Sequence, residues 1–396
     1  MLAIVAPGQG AQKPGFLTPW LADQRFADRF GWLSAVSGLD LIHYGTQADA
    51  ETIRDTAVAQ PLLVAAGLVT ALAVFPSPAD AFGKVSVAAG HSVGEITAAA
   101  GTGVISAESA MALVRERGKA MAEASALRPT SMIAVVGGDP EEVASAIELA
   151  GLTVANNNGA GQLVAAGTVE QLAELERIAP RRTRLVRLSV AGAFHTVHME
   201  PAVAHLARLV RGISTRDPRT HLLSNADGSV VANGREFLQR IVTQVANPVR
   251  WDRCMDTMAS LGVTGLLELP PSGTLTGIAK RNLKGVELFS LNSPDELNAA
   301  RDFVERHADA ADDLSVTPEW RMLVSPGKGQ FVRAPGIQTN DQLAPETIVG
   351  HVKNLRGQEA ITATHGGTIL EWLAEDGDLI KPGQPIVRLH PAPETA

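Results

Sequence analysis

One cysteine, Cys254, stands in a chain of 396 residues. A single thiol excludes an internal disulfide framework and fits a reducing compartment. Positive charge is not in excess: the formal net charge is -8 and the pI about 5.7. Overall charge therefore gives no reason to expect a nucleic-acid partner. Met1 to Ala6 is apolar but too short for a signal core, and no basic stretch precedes it. No apolar run is read as reaching the ~20 residues that a membrane helix needs. A cytoplasmic protein without membrane contact is the expectation. No metal-ligand cluster and no cofactor motif is read from the sequence.

Hydrophobic residues make up 45% of the chain, with 37 glycines, enough for a large core shared by two or more domains. Short apolar runs alternate with Ala-rich helical stretches. Strands are expected at Leu2–Pro7, Val85–Ala89, Ser131–Val136, Leu152–Ala155, Leu163–Ala166, Leu185–Leu188 and Gly265–Leu269. Helices are expected at Val58–Val74, Gly94–Ala100, Ala107–Ala124, Pro140–Leu149 and Val169–Ile178. This alternation predicts an α/β fold with a largely parallel sheet. Within about 128–190 the order strand, helix, strand, strand, helix, strand predicts a ferredoxin-like small lobe inserted into the larger one. Residues 306–320 are polar and read as a linker between a 1–305 domain and a 321–396 domain. The latter, with its tight Gly and Pro turns, has an all-β texture.

Gly90-His91-Ser92-Val93-Gly94 joins a buried strand to a helix. In that setting a strained serine projects its hydroxyl, and the next N–H is free to hold an oxyanion. The alternative is a structural turn with a capping serine. A second glycine turn, Pro7-Gly8-Gln9-Gly10-Ala11-Gln12, lacks the Lys-Ser/Thr ending of a phosphate loop. Supplying a second oxyanion N–H, from Gln9, is the better use. One such donor is worth roughly 2.7–4 kcal/mol of transition-state stabilisation.

Serine needs a base. His195 follows the last strand of the small lobe; His198 is its rival, and His91 is read as packing beside the turn. Arg117 breaks the apolar stripe of Ala110, Leu113, Val114 and Met121, whereas Arg115 falls on the solvent side. A guanidinium on a buried face wants a carboxylate, either internal or from a substrate. Asn156 and Asn158 either support the site or serve as polar turn residues. Arg181, Arg182, Arg184 and Arg187, with Lys280, Arg281 and Lys284, form basic clusters that suit an acidic partner or simply a solvated face. Cys254 reads as packing.

Together these motifs resemble the malonyl-CoA:acyl carrier protein transacylase family and its relatives, the acyltransferase domains of polyketide and fatty acid synthases. The likeness spans about 1–300. It includes Pro7–Gln12, Gly90–Glu95, Arg117–Met121 and Ala155–Asn158. It continues through Gly161–Gly167, Phe194-His195, Gln244–Trp251 and Leu275-Thr276-Gly277. The resemblance implies an α/β-hydrolase-like large lobe. It makes Ser92 the nucleophile and His195 the base, oriented by the Gln244 backbone carbonyl. It gives the oxyanion to Gln9 and Val93 and the malonyl carboxylate to Arg117, with malonyl-CoA and acyl carrier protein as the partners. Gly192-Ala193-Phe194-His195 is similar to the His-Ala-Phe-His motif of malonyl-selective domains, with Gly in the first place. A serine hydrolase is the rival reading, favoured by a triad Asp or Glu; a non-catalytic scaffold is another.

Met322 to Pro391 resembles a biotinyl/lipoyl-type domain through Gly366–Glu371 and Glu375–Ile386. The Met-Lys-Met attachment motif is missing. Arg356 stands where the modified lysine belongs, between Leu355 and Gly357, and Lys353 is out of register. The resemblance therefore implies an unmodified docking or assembly domain.

Overall fold

The computed structural model describes residues 1–75, 77, 81, 83–190, 192–308, 321–354 and 357–390. It divides into two compact units, Met1–Ala311 and Asp312–Ala396.

Among the described residues the first unit holds ten strands. In chain order they are β1 (Leu2–Ala6), β2 (Val87–Gly90), β3 (Thr130–Gly137), β4 (Thr153–Asn157) and β5 (Gln162–Thr168). Then come β6 (Thr183–Arg187), β7 (His221–Leu222), β8 (Val249–Arg250), β9 (Gly265–Glu268) and β10 (Glu287–Ser290). Five of them form a wholly parallel sheet in the order β10-β9-β1-β2-β7. Its central strands are buried on both faces, which is why Leu2–Ala6 and Val87–Gly90 read as continuous apolar runs.

The Thr56–Val74 helix corrects one expectation. It has 19 residues and a mean hydropathy of 2.0, long and apolar enough to cross a membrane by length and composition. However, 83% of that window is buried inside the unit, so it is a core helix. Gln60 and Pro61 interrupt its apolar run.

The small lobe has the expected order of elements. Its sheet runs β6-β3-β5-β4-β8, with helices Pro140–Leu149 and Val169–Ile178 packed on one face through Ile133, Val135, Ile147, Leu172 and Leu175. The first four strands give the ferredoxin-like antiparallel order. The fifth corrects the 128–190 boundary. Strand β8, from the segment after Gln244, pairs parallel with β4 and so stitches the lobe to the larger one. Two residues carry no readable period, so this strand was not visible in the pattern.

The linker also begins later than 306. The Leu297–His307 helix includes Arg306 and His307, and both bond the Glu287 carboxylate of β10, at 2.7 and 2.9 Å. Residues 309–320 lie outside the described residues.

The second unit is built of β11 (Arg321–Val324), β12 (Gly329–Arg333), β13 (Gln342–Leu343), β14 (Thr347–Asn354), β15 (Gly357–Ala363), β16 (Gly367–Trp372), β17 (Leu379–Ile380) and β18 (Pro385–His390). They form two antiparallel four-stranded sheets, β11-β18-β16-β13 and β15-β14-β12-β17. Phe331, Val349, Val352, Ile369, Ile386 and Val387 are fully buried in its core. Asn354 pairs with Gly357 across the β14–β15 hairpin. Leu355 and Arg356, singled out above, fall outside the described residues.

Candidate active site

Strand β2 ends at Gly90, and the Gly94–Gly101 helix begins four residues later. Ser92 sits in this turn at φ 53°, the left-handed region that costs a side-chain-bearing residue about 1–3 kcal/mol. The turn is so tight that a Cβ on Gly90 would overlap the backbone of Gly94 and Glu95. A Cβ on Gly94 would in turn strike the Ala6 carbonyl. The Pro7–Gly10 loop passes directly beneath: a Cβ on Gly8 would lie 2.9 Å from the His91 carbonyl oxygen. The Gln9 side chain anchors this loop by donating to the Arg54 carbonyl at 3.3 Å and the Thr56 hydroxyl at 3.2 Å. The N–H groups of Gln9 and Val93 take no acceptor among the described residues, whereas those of Gly94 and Glu95 bond the His91 and Ser92 carbonyls.

The Ser92 hydroxyl lies 2.8 Å from His195 Nε2. His195 also has a positive φ, 61°, and is buried. Its Nδ1 lies 2.9 Å from the Gln244 carbonyl. A carbonyl oxygen only accepts, so Nδ1 carries the proton and Nε2 is the bare acceptor facing serine. Burial first, and then the Arg117 charge, hold the imidazole down to about 3. It therefore stays neutral across the working pH range. His198 turns elsewhere, its backbone N–H bonded to Thr196 Oγ1 in a short 3-10 turn. Among the described residues no carboxylate faces His195 Nδ1, which meets the Gln244 carbonyl instead, so the feature that would favour a hydrolase is not seen there.

Arg117 is the largest charged side chain in the core, 1% exposed. Its Nη1 donates to Gln60 Oε1 at 2.7 Å and its Nη2 to Gln244 Oε1 at 3.0 Å. Nη2 also reaches the Ser92 hydroxyl at 3.4 Å, and Nε has no partner. None of these partners is a carboxylate. Burial pulls the guanidinium down to about 10, and Glu95 opposes that. It stays charged, with a donor to spare, beside Ser92.

His91 packs as expected. Its Nε2 lies 3.1 Å from Asn158 Oδ1, and its ring meets Trp251 edge-on at 5.6 Å. Asn158 thus ties the small lobe to the residue before Ser92. Asn156 sits one pleat earlier on β4, in register with Val249 of β8, with its buried Oδ1 unpartnered. Cys254 is buried, its thiol pushed well up by burial, and it packs against Ser224 and Asn225.

Three residues escaped the sequence reading. Asn225, fully buried, accepts the Ser92 N–H at 2.8 Å and donates to the Gly90 carbonyl at 2.8 Å, so it braces the turn from behind. Glu95 accepts from the Asn225 N–H at 2.6 Å and from the Gln244 amide. Burial pushes its carboxyl above the ordinary range, while the Asn225 N–H, the Arg117 charge and the Gln244 amide pull it back. Gln60 receives Arg117. A lone Gln in an apolar helix is the same kind of signal that exposed Arg117, and it could have been used. Asn225, in a polar loop, gives no such signal.

The acyl transferase domain family matches residues 4–310, which stops short of the second unit. The malonyl CoA-acyl carrier protein transacylase of Mycobacterium tuberculosis is 47% identical over 298 residues, covering 75% of this chain and 98% of that protein. The enzyme of that name from Escherichia coli is 33% identical over 307 residues, covering 75% and 98%. A crystal structure of MCAT from Mycobacterium tuberculosis superposes with a TM-score of 0.73 at 45% identity, covering 76% of this chain and 99% of that one.

Proposed function

The chain belongs to the malonyl CoA-acyl carrier protein transacylases, and on that footing we propose how its own residues carry out the reaction. The enzyme transfers a malonyl group from coenzyme A to the phosphopantetheine thiol of acyl carrier protein, in fatty acid biosynthesis. Malonyl-CoA and acyl carrier protein are its partners.

Ser92 attacks the thioester carbon while His195 Nε2 takes its proton. The Gln244 carbonyl, hydrogen-bonded to Nδ1, steadies the imidazolium that forms. The tetrahedral oxyanion enters the hole offered by the Gln9 and Val93 N–H groups. The C–S bond breaks, His195 returns the proton to the coenzyme A sulfur, and a malonyl-Ser92 ester remains. The carrier thiol then gives its proton to His195 and attacks the ester, which regenerates Ser92. Asn158, through His91, holds the small lobe against this turn, and Asn156 contributes to the backbone pairing of β4 with β8. The observation that carries the assignment is Arg117. Its Nη2 lies 3.4 Å from Ser92 Oγ, with Nε unpaired. Malonyl places a carboxylate one methylene from the carbon that Ser92 attacks, within reach of that guanidinium.

Incubation with malonyl-CoA is expected to add malonyl to the peptide containing Ser92, and holo carrier protein is expected to discharge it. Label on any other residue would refute the assignment. The imidazole titrates at about 3 rather than near 6.5. Its depressed value leaves the base intact down to that point, so acylation by acetyl-CoA is expected to be flat between about pH 5 and 7. A fall with a midpoint near 6.5 would show that His195 is not held neutral.

The 321–396 segment reads best as a biotinyl/lipoyl-type domain that carries no modification, serving docking or assembly. Its two antiparallel sheets and the arginine at 356, in the lysine's place, support that reading. A cytoplasmic location fits the chain's chemistry.

A further inference from the structure

Arg117 only donates hydrogen bonds, so the Gln244 atom it meets must be the amide oxygen. The Gln244 NH2 then points the other way, at Glu95 Oε2. The second Glu95 oxygen meets the Asn225 backbone N–H, a donor that cannot turn away. Two donors thus face the two oxygens of one buried carboxylate. No neutral side chain of this shape satisfies both, since an amide brings one acceptor and one donor.

We propose that Glu95 is a positioning residue that sets acyl selectivity: it locks the Gln244 amide so that its oxygen holds the Arg117 guanidinium in line with the substrate carboxylate. The same carboxylate anchors Asn225, whose Oδ1 accepts the Ser92 N–H. One buried group therefore joins the nucleophile turn to the clamp. The inference rests on the reading that Arg117 receives the malonyl carboxylate.

The isosteric Glu95→Gln change separates orientation from charge. Its oxygen can keep the Asn225 N–H, but its NH2 then faces the Gln244 NH2. Gln244 must flip and aim a donor at Arg117. The kcat/KM for malonyl-CoA is expected to fall about tenfold or more, with that for acetyl-CoA within about twofold of wild type. Charge alone cannot lower the malonyl rate: burial raises the Glu95 carboxyl above the ordinary range, and losing the negative charge it keeps near Arg117 would only strengthen the attraction for malonyl. A gain in malonyl selectivity, no change, or an equal loss on both thioesters would each overturn the proposal.

The change should also lose its effect once Arg117 is gone, so E95Q/R117A is expected to match R117A. An additional malonyl loss in the double variant would mark Glu95 as merely structural. If E95Q does not fold, Glu95→Asp carries the test. It keeps the acid but withdraws the carboxylate by one methylene from the Gln244 amide, and the same malonyl-specific loss is expected. Equal loss on both substrates there would overturn the proposal as well. If R117A itself keeps malonyl selectivity, the clamp reading falls. If R117A loses selectivity and E95Q does not, only the role of Glu95 falls.

Discussion

Ser92→Ala is expected to abolish the malonyl-enzyme adduct in intact-mass spectra and to cut transfer by about 10⁴-fold or more. The hydroxyl is the one reactive oxygen placed 2.8 Å from a neutral imidazole nitrogen, at the mouth of a turn with two N–H groups unclaimed. Alanine keeps the turn's backbone and leaves Asn225 bonded to the residue 92 N–H. The fold and malonyl-CoA binding should therefore survive while the chemistry stops. The melting temperature should hold or rise slightly, because the left-handed φ of 53° remains strained for either residue but a polar group is gone from a half-buried place. Binding measured by calorimetry should stay near the wild-type value. A variant that still accumulates adduct would show that another nucleophile carries the acyl group.

Much of this site could be read in the chain because its parts break local rules. The serine stands between glycines at a strand-to-helix change. Arg117 interrupts an apolar stripe, and the structure confirms that it is buried there. The helices Pro140–Leu149 and Val169–Ile178 have the bounds expected of them from the sequence. The amphipathic helices Gln24–Ser37, Gly234–Gln244 and Leu297–His307 went unnamed, although each carries a buried stripe such as Phe237, Leu238 and Ile241.

What stayed hidden has a common cause. Strands β7 and β8 have two residues each, too few to show a period, so their pairing depends on the tertiary fold. Asn225 follows β7 in a loop, and only the folded chain brings it behind Ser92, 133 positions away. Glu95 was legible as a residue of the motif but not as a hub, because its partners Gln244 and Asn225 are 149 and 130 positions distant. That Arg117 bonds no internal carboxylate among the described residues was likewise visible only in the fold: its protein partners are amide oxygens and a hydroxyl.

Arg117→Ala is expected to lower kcat/KM for malonyl-CoA by about 10²–10³-fold or more, and that for acetyl-CoA far less. In the wild-type site the guanidinium is desolvated and spends two bonds on neutral amides, with Nε left over. On the proposed clamp, a malonyl carboxylate completes that set and an acetyl methyl leaves it incomplete, which would discriminate between the two thioesters. Removing the guanidinium strands the substrate's charge in a dry site and frees the Gln60 and Gln244 oxygens together. For acetyl the same change removes an unpaired buried charge, so its rate should hold or improve. Stability should fall by about 1–3 kcal/mol, because the buried Gln60 and Gln244 oxygens lose their donor. Arg117→Lys should not restore selectivity. An ammonium offers a point charge in place of a planar fork and cannot bridge Gln60, Gln244 and a carboxylate at once. Parallel loss on malonyl-CoA and acetyl-CoA would show that Arg117 only supports the turn, and the carboxylate clamp would have to be sought elsewhere.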